Sequence, residues 1–331
     1  MNIFLFEYAT CGAIRELDPS ITIEGLGMFK TLSKGFKSGV KAFTDRRIPL
    51  EGYPKVDDYR EMFWEYLKNV DAALIIAPES GMEYYNLVLE LEKAGCANLG
   101  SSSEAVWDTT DKYVTFRKLK KVRKPKTWIH KGNTTSNFPL VAKPRDGVSC
   151  EGLFLVEDEG DLERVPRGYL LQEYIPGGHY SASLLVGDEI TVLSVNTQEM
   201  ENFVYKGAIV PAPLELSPDE EEELIKAMES FKGLKGYVGI DFIYNEGVVV
   251  IEINARPTTP IIAMEEAYGY NPSEVILKNH LGIRVQKPRS RRRVIMRKHS
   301  PCSKGDVGEV FVEFGGYSIS LNVEKPESCS L

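Results

Sequence analysis

The chain has only five cysteines, Cys11, Cys96, Cys150, Cys302 and Cys329, odd in number, scattered, and without a C-x-x-C pair. That excludes a closed disulfide framework and a thiolate zinc site, and fits a reducing cytoplasm. Histidine is equally sparse, with His130, His179, His280 and His299 alone, so histidine-centred hydrolase or zinc chemistry has little to work with. No apolar run approaches the roughly 20 residues of a membrane-spanning helix. The opening Met1 to Glu7 lacks a basic n-region and its apolar stretch ends at Glu7, so a first strand is expected there and not a secretory signal. Positive charge is in deficit: a formal net charge of -8 over 331 residues disfavours generic binding to nucleic acid or anionic membranes. The basic runs Arg117 to Lys124 and Arg289 to Arg293 read as solvated faces. No G-x-G-x-x-G follows the first strand and no G-K-[ST] occurs in the glycine loop described below, so neither a dinucleotide fingerprint nor a Walker A loop is present there.

The length implies two or three subdomains with cores of their own. Residues 1–105 alternate apolar bursts (Ile3 to Phe6, Ala72 to Ala77) with helical patterns (Ile23 to Phe36, Tyr84 to Ala94), the rhythm of a parallel α/β sheet. Its strand ends place Glu7 and Glu79 at the carboxyl edge, where such sheets bind ligands. Leu99 to Ser103 reads as a linker, and Asp108 to Lys112 as the cap of a helix running to about Lys121.

From Leu140 to Ile253 the pattern becomes α+β, with strands at Leu140 to Lys143, Leu153 to Val156, Tyr169 to Tyr174, Ser181 to Val186 and Glu189 to Val195. Ser217 can cap a helix, Pro218 suits its first position, and Asp219 to Glu223 set negative charge at the positive end of its dipole, so this acidic run is structural. Tyr237 to Tyr244 and Val248 to Asn254 form a hairpin through Asn245-Glu246-Gly247. The tail after Pro288 is β-rich near Val307 to Phe314 and Tyr317 to Val323.

The chemistry concentrates on that hairpin. Folding back through the turn brings Asp241 near Glu252, while strand alternation sets Glu252 and Asn254 on one face and Ile251 and Ile253 toward the core. Two carboxylates and an amide suit a hard cation shared with phosphate oxygens, as magnesium is commonly held. Arg256, two residues on, offers a fork to a phosphate or acyl-phosphate oxygen. Taken alone, Asp241 and Glu252 are equally well a polar cross-strand pair. Lys143 ends an apolar strand and precedes the loop Gly147 to Gly152, with Ser149 inside it, where backbone N–H groups can approach phosphates. The strand into Glu173-Tyr174-Ile175 and Pro176-Gly177-Gly178 offers a backbone edge to an adenine ring. Cys150, with no base beside it, reads as inert. Asn196, Gln198 and Lys206 are placed to face the cleft if their strands present that side; exposed sheet positions are the alternative.

In order and spacing, Asp111-Lys112, Lys143 with its loop, Gln172 to Ile175, Asp241 and Glu252 to Pro257 resemble the ATP-grasp superfamily over about residues 106–285. The resemblance implies a Rossmann-like pre-ATP-grasp domain (1–105), a small lobe (106–180), a large lobe with the metal site (181–288) and a C-terminal extension (289–331). It also implies ATP with Mg²⁺ or Mn²⁺, Lys112 and Lys143 on phosphates, Gly147, Ser149 and Gly152 in the flexible loop, and Glu173, Tyr174 and Ile175 at the hinge. Asp241, Glu252 and Asn254 become metal ligands, Arg256 and Lys206 catalytic groups, and Glu7, Glu79 and Asn196 substrate contacts. Where the family commonly has a ribose-binding glutamate, this chain has His179. Phe6 to Thr10, Glu24-Gly25 and Ala77 to Glu79 are most similar to archaeal amino-acid ligases coupling glutamate to tyramine for methanofuran. The implied reaction is carboxylate activation as an acyl phosphate followed by amide formation, in a chain that binds small molecules and forms a homodimer. An ATP-grasp kinase and a non-catalytic ATP-binding regulator are the alternatives, the latter motivated by His179.

Overall fold

The computed structural model describes residues 1–36, 39–132, 137–147, 152–301 and 309–324. The opening strand Ile3–Glu7 is central to a four-stranded parallel sheet, flanked by Val40–Lys41 and by Ala72–Ile76, with Ala97–Asn98 at the far edge. Its two central strands are buried along their whole length, which explains why they read as unbroken apolar runs. The helix Pro19–Phe36 packs against Ile3–Glu7 on one side and against Pro272–His280 on the other. The N-terminal unit thereby shares one core with the sheets that carry residues 178–254 and the tail strands.

Leu99 to Ser103 is not a plain linker. Ser102 caps a helix, Ser103–Thr110, by accepting from the Ala105 N–H. Asp111 then caps Lys112–Lys118 through the Tyr113 and Val114 N–H groups, so the one expected helix is two, broken where Asp111 adopts extended backbone. Thr127–Ile129, Leu170–Glu173, Leu140–Lys143 and Phe154–Val156 form an antiparallel sheet in that order. This lobe has its own small core of Leu140, Ala142, Val156, Val165 and Leu171.

A second antiparallel sheet runs Ile190–Thr197, Gly178–Val186, Gly236–Tyr244, Val248–Asn254. Its hairpin turns at Asn245 to Gly247, with the Asn245 N–H donating to the Gly247 carbonyl at 3.0 Å. The helix Pro218–Glu229 carries the expected cap as a full capping box, Ser217 and Glu220 satisfying each other's backbone N–H groups. A third sheet runs Glu199–Glu201, Val204–Val210, Val294–His299, Tyr317–Val323, Val310–Phe314. The tail strands are thus continuous with residues 199–210. Val294–His299 lies where the sequence showed only alternating basic and apolar residues.

The N-terminal unit is pinned to the second sheet at one tight point. Ser102 N–H donates to the Gly233 carbonyl, Ser101 Oγ donates to the Lys235 carbonyl, and Gly236 (φ 71°) passes so close to the Leu99 carbonyl that a Cβ would sit 2.2 Å from its oxygen. Gly236→Ala is expected to cost about 1–3 kcal/mol through combined backbone strain and steric conflict, read as a lowered urea midpoint with unchanged m-value.

Candidate active site

The two antiparallel sheets and the carboxyl edge of the parallel sheet enclose a cleft of about 310 Å³. It collects Glu7, Lys112, Lys143, Gly147, Glu173, Tyr174, Ile175, His179, Asp241, Glu252, Asn254 and Arg256 from segments spread over 250 residues of sequence. At its centre Asp241 and Glu252 are direct register partners across the hairpin, and Gly239 pairs with Asn254. The register slips between Asp241 and Phe242, leaving Ile251 as an extra residue. That bulge turns Ile251 into the cleft, against the expectation that it faces the core, while Ile253 stays buried.

Asp241 is partly buried in the wall of the cleft. Asn254 Nδ2 donates to its Oδ2 at 3.1 Å and Gln198 Nε2 to its Oδ1 at 2.8 Å. Burial and then the neighbouring Glu252 charge push its carboxyl up to about 7, outweighing those donors. Glu252 is met by Lys112 Nζ at 3.1 Å, and the same ammonium donates to the Gly147 carbonyl at 2.7 Å, tying the start of the glycine loop to the carboxylates. Burial alone would lower the Lys112 pKa; Glu252 reverses this and raises it. Among the described residues no group of three or more His, Cys, Asp or Glu side chains is arranged to hold a metal ion. The donor set of two carboxylates and one amide nonetheless fits a hard cation that draws its remaining ligands from phosphate and water.

Lys143 is buried, and its ammonium donates to Gln172 Oε1 at 3.0 Å; Gln172 is oriented in turn by donating to Thr127 Oγ1 at 2.9 Å. The Glu173 carboxylate accepts from the Lys126 N–H at 3.2 Å. His179 follows on the Gly178–Val186 strand, an exposed residue whose pKa is lowered by desolvation. Gly152 adopts φ 71° beside Tyr169, whereas Ser149 and Cys150 lie outside the described residues.

Three expectations are corrected. Glu79 does not line the cleft: both its oxygens are taken by Arg256, at 2.9 and 2.8 Å, so it positions a guanidinium and is not available to an amine. Asn196 shares a sheet face with its register partner Ser181, a cleft residue, but is wholly buried and bonded to Ser194 and Ser183. Helix Ile261–Tyr268 covers it, with Tyr268 donating to Ser194. Lys206 points out of the cleft toward Glu201, because Tyr205 beside it on the strand points in.

The other end of the cleft holds Glu7, which the sequence singled out, and Glu24, Tyr205 and Lys298, which it gave no role. Glu7, at the strand end, accepts from the Ala9 and Thr10 N–H groups at 3.3 and 2.7 Å, while burial raises its pKa. Helix Pro19–Phe36 crosses its carboxylate at Gly25, where a Cβ would lie 2.4 Å from Oε1. Glu24 lines the same end, accepting from Thr259 Oγ1 at 2.6 Å and from Lys298 Nζ at 2.5 Å. Tyr205 places a buried hydroxyl there with no hydrogen-bond partner among the described residues, and burial, Glu24 and Asp241 all drive its pKa up. The signal for Lys298 was present: Val294 and Met296 are buried, so period two sends residue 298 inward.

The shifted Asp241 carboxyl yields a pH prediction. Its folded pKa lies above the unfolded value of 3.8, so the native state binds the proton more tightly, and stability falls as pH rises from about 4 to 7. In metal-free enzyme the fall in Tm between pH 5 and 8 should be clearly shallower for Asp241→Asn than for wild type, checked by paired thermal melts in EDTA.

Two family descriptions match the chain: a pre ATP-grasp 3 domain over residues 49–106 and an ATP-grasp domain over residues 109–260. The tyramine–L-glutamate ligase of Methanocaldococcus jannaschii is 35% identical over 84% of this chain and 88% of its own length. A D-alanine–D-alanine ligase of Fusobacterium nucleatum is 24% identical over 68% of this chain and 85% of its own. Among solved structures, an ATP-grasp superfamily protein of Archaeoglobus fulgidus superposes with TM-score 0.82 at 36% identity, covering 98% of this chain and 100% of that one. The ADP complex of Staphylococcus aureus N5-carboxyaminoimidazole synthetase, at 16% identity, TM-score 0.71 and coverage of 90% and 82%, shares the fold. A pre-ATP-grasp sheet, a nucleotide cleft between two antiparallel sheets, and relatives of this closeness establish that the chain belongs to the ATP-grasp family, as an ATP-dependent carboxylate–amine ligase.

Proposed function

We propose that this ligase joins L-glutamate to tyramine with consumption of ATP, as part of methanofuran assembly in the cytoplasm. The observation that carries the chemistry is the Asp241–Glu252 register pair, with Asn254 beside it and Lys112 and Arg256 bringing positive charge to the same cleft. The identity of 34–35% with two tyramine–L-glutamate ligases over 84% of the chain supports the substrate pair.

A carboxylate oxygen of glutamate attacks the γ-phosphorus, and the bond to the bridging oxygen breaks to release ADP. The tyramine nitrogen then attacks the acyl carbon, loses a proton, and displaces inorganic phosphate. Neither step needs a protein nucleophile; both need positioning and charge neutralisation. Lys112 and Lys143 take phosphate oxygens, the loop of Gly147, Ser149 and Gly152 covers them, and Arg256, steadied by Glu79, takes the acyl-phosphate oxygens. Glu173, Tyr174 and Ile175 receive the adenine and His179 the ribose. Asp241, Glu252 and Asn254 would hold Mg²⁺ or Mn²⁺, which supplies further neutralisation of phosphate charge when bound. Residues 1–105, 106–180, 181–288 and 289–331 act as successive units of this machine, with two copies forming a homodimer.

The test is ADP release by purified protein with ATP and Mg²⁺. Release should require glutamate and tyramine together, with a product mass equal to their sum less water. Glu252→Ala or Asp241→Ala should lower turnover by about 10³-fold or more, the scale of losing preorganised charge stabilisation. ADP release with glutamate alone, leaving a stable phosphorylated product, would instead identify a kinase.

A further inference from the structure

Among the ion pairs of the described residues, three have both side chains less than one quarter exposed: Lys112–Glu252, Arg256–Glu79 and Lys298–Glu24. Buried pairs are poor stability devices, since well-packed apolar residues of like volume do as well or better. Two of the three serve the phosphate end of the cleft. The third sits at the other end, and nothing in the reaction as written above uses it.

Glu24 reaches the cleft from helix Pro19–Phe36, Thr259 from the segment after Arg256, and Lys298 from the tail strand Val294–His299. Lys298 takes one carboxylate oxygen and Thr259 the other, at 2.5 and 2.6 Å. A carboxylate has about four acceptor sites, so two remain on this residue, which lines the cleft. Tyr205, another lining residue, carries a buried hydroxyl with no partner among the described residues and lies close enough to feel the Glu24 charge. Glu7 lies one helix crossing away, at Gly25. A carboxylate fixed by two donors, with acceptor sites to spare and an unpartnered hydroxyl nearby, is complementary to a cation that carries several N–H donors.

We propose that Glu24, with the Tyr205 hydroxyl nearby, binds the α-ammonium group of the amino-acid substrate, and that Lys298 is the positioning residue that fixes Glu24 for it. This rests on the reading that one substrate is an amino acid. The nitrogen that is acylated must shed its proton, and a multi-acceptor cradle around a fixed carboxylate would hold that proton in place. The group suited to Glu24 is therefore the nitrogen that stays charged throughout, which belongs to the carboxylate donor and not to the attacking amine. The tail strand then acts in substrate selection as well as in sheet formation.

Equilibrium binding to the full chain, loaded with Mg²⁺ and a non-hydrolysable ATP analogue, tests this independently of turnover. Wild type should bind glutamate about 30-fold or more tightly than glutarate, which lacks only the amino group, the loss expected when a charged hydrogen-bonding site is left unpaired. Glu24→Gln should erase that preference by weakening glutamate alone. Lys298→Met should erode it, Lys298→Arg should restore most of it, and nucleotide affinity should stay constant in all three. Equal binding of glutamate and glutarate by wild type, no glutamate binding at all, or a preference that survives Glu24→Gln would overturn the proposal. So would a rise in the KM of tyramine alone in Glu24→Gln, which would assign the subsite to the amine. Amine-dependent ADP release by wild type scores the ligase reading separately, so either idea can fail without the other.

Discussion

The cleft depends on one constraint: two carboxylates, Asp241 and Glu252, are held opposite each other on neighbouring strands in an enclosed space. Like charges so placed repel, and the carboxyl of Asp241 climbs to about 7 in consequence of burial and that repulsion. The fold answers with cations from elsewhere in the chain. Lys112 arrives on a short helix capped by Asp111, and Arg256 follows directly from the strand that carries Glu252. Arg256 in turn needs its own counter-charge, which Glu79 supplies from the N-terminal sheet. A metal and triphosphate entering this site would meet charges already balanced and oriented, the preorganisation on which phosphoryl transfer relies.

The N-terminal unit is accordingly part of the active site and not an appendage. Its central strand ends in Glu7, its first helix carries Glu24, and its second long strand, Ala72–Ile76, leads to Glu79. Tyr84 ties the same unit to the hairpin by donating to the Ala255 carbonyl at 2.9 Å, next to Arg256. Helix Pro19–Phe36 is further locked where Ser273 Oγ donates to the Leu32 carbonyl and Asn271 Nδ2 to the Thr31 carbonyl. Small residues let it approach: Gly25 clears the Glu7 carboxylate. By contrast the lobe bearing Lys143 keeps a small core of its own, which separates its packing from that of the rest of the molecule.

Local signals settled a good deal of this. The Asn245 to Gly247 turn fixes a short hairpin and so brings Asp241 near Glu252, but the register it sets would place Asp241 opposite Ile251, and only the bulge there makes Glu252 its partner. The capping box at Ser217 is an interaction within four residues and is written entirely in the sequence. Lys143 is legible as a buried cation at the end of an apolar strand, and its ammonium donates to Gln172 Oε1.

Tertiary structure decided what local pattern cannot encode. A bulge turned Ile251 into the cleft, a helix that begins 65 residues downstream packs over the Ser194–Asn196 pair, and strand direction sent Lys206 outward. The Glu24–Lys298 and Arg256–Glu79 pairs join residues 274 and 177 apart, and their existence depends on how sheets stack. Periodicity states which side of a strand faces inward; it does not state what another sheet will place against that side. The sequence by itself therefore determined the cluster of Asp241, Glu252, Asn254 and Arg256, because it is built along one hairpin and the residues just after it. The end of the cleft around Glu24 is assembled from three distant segments, and only their packing brings it into being.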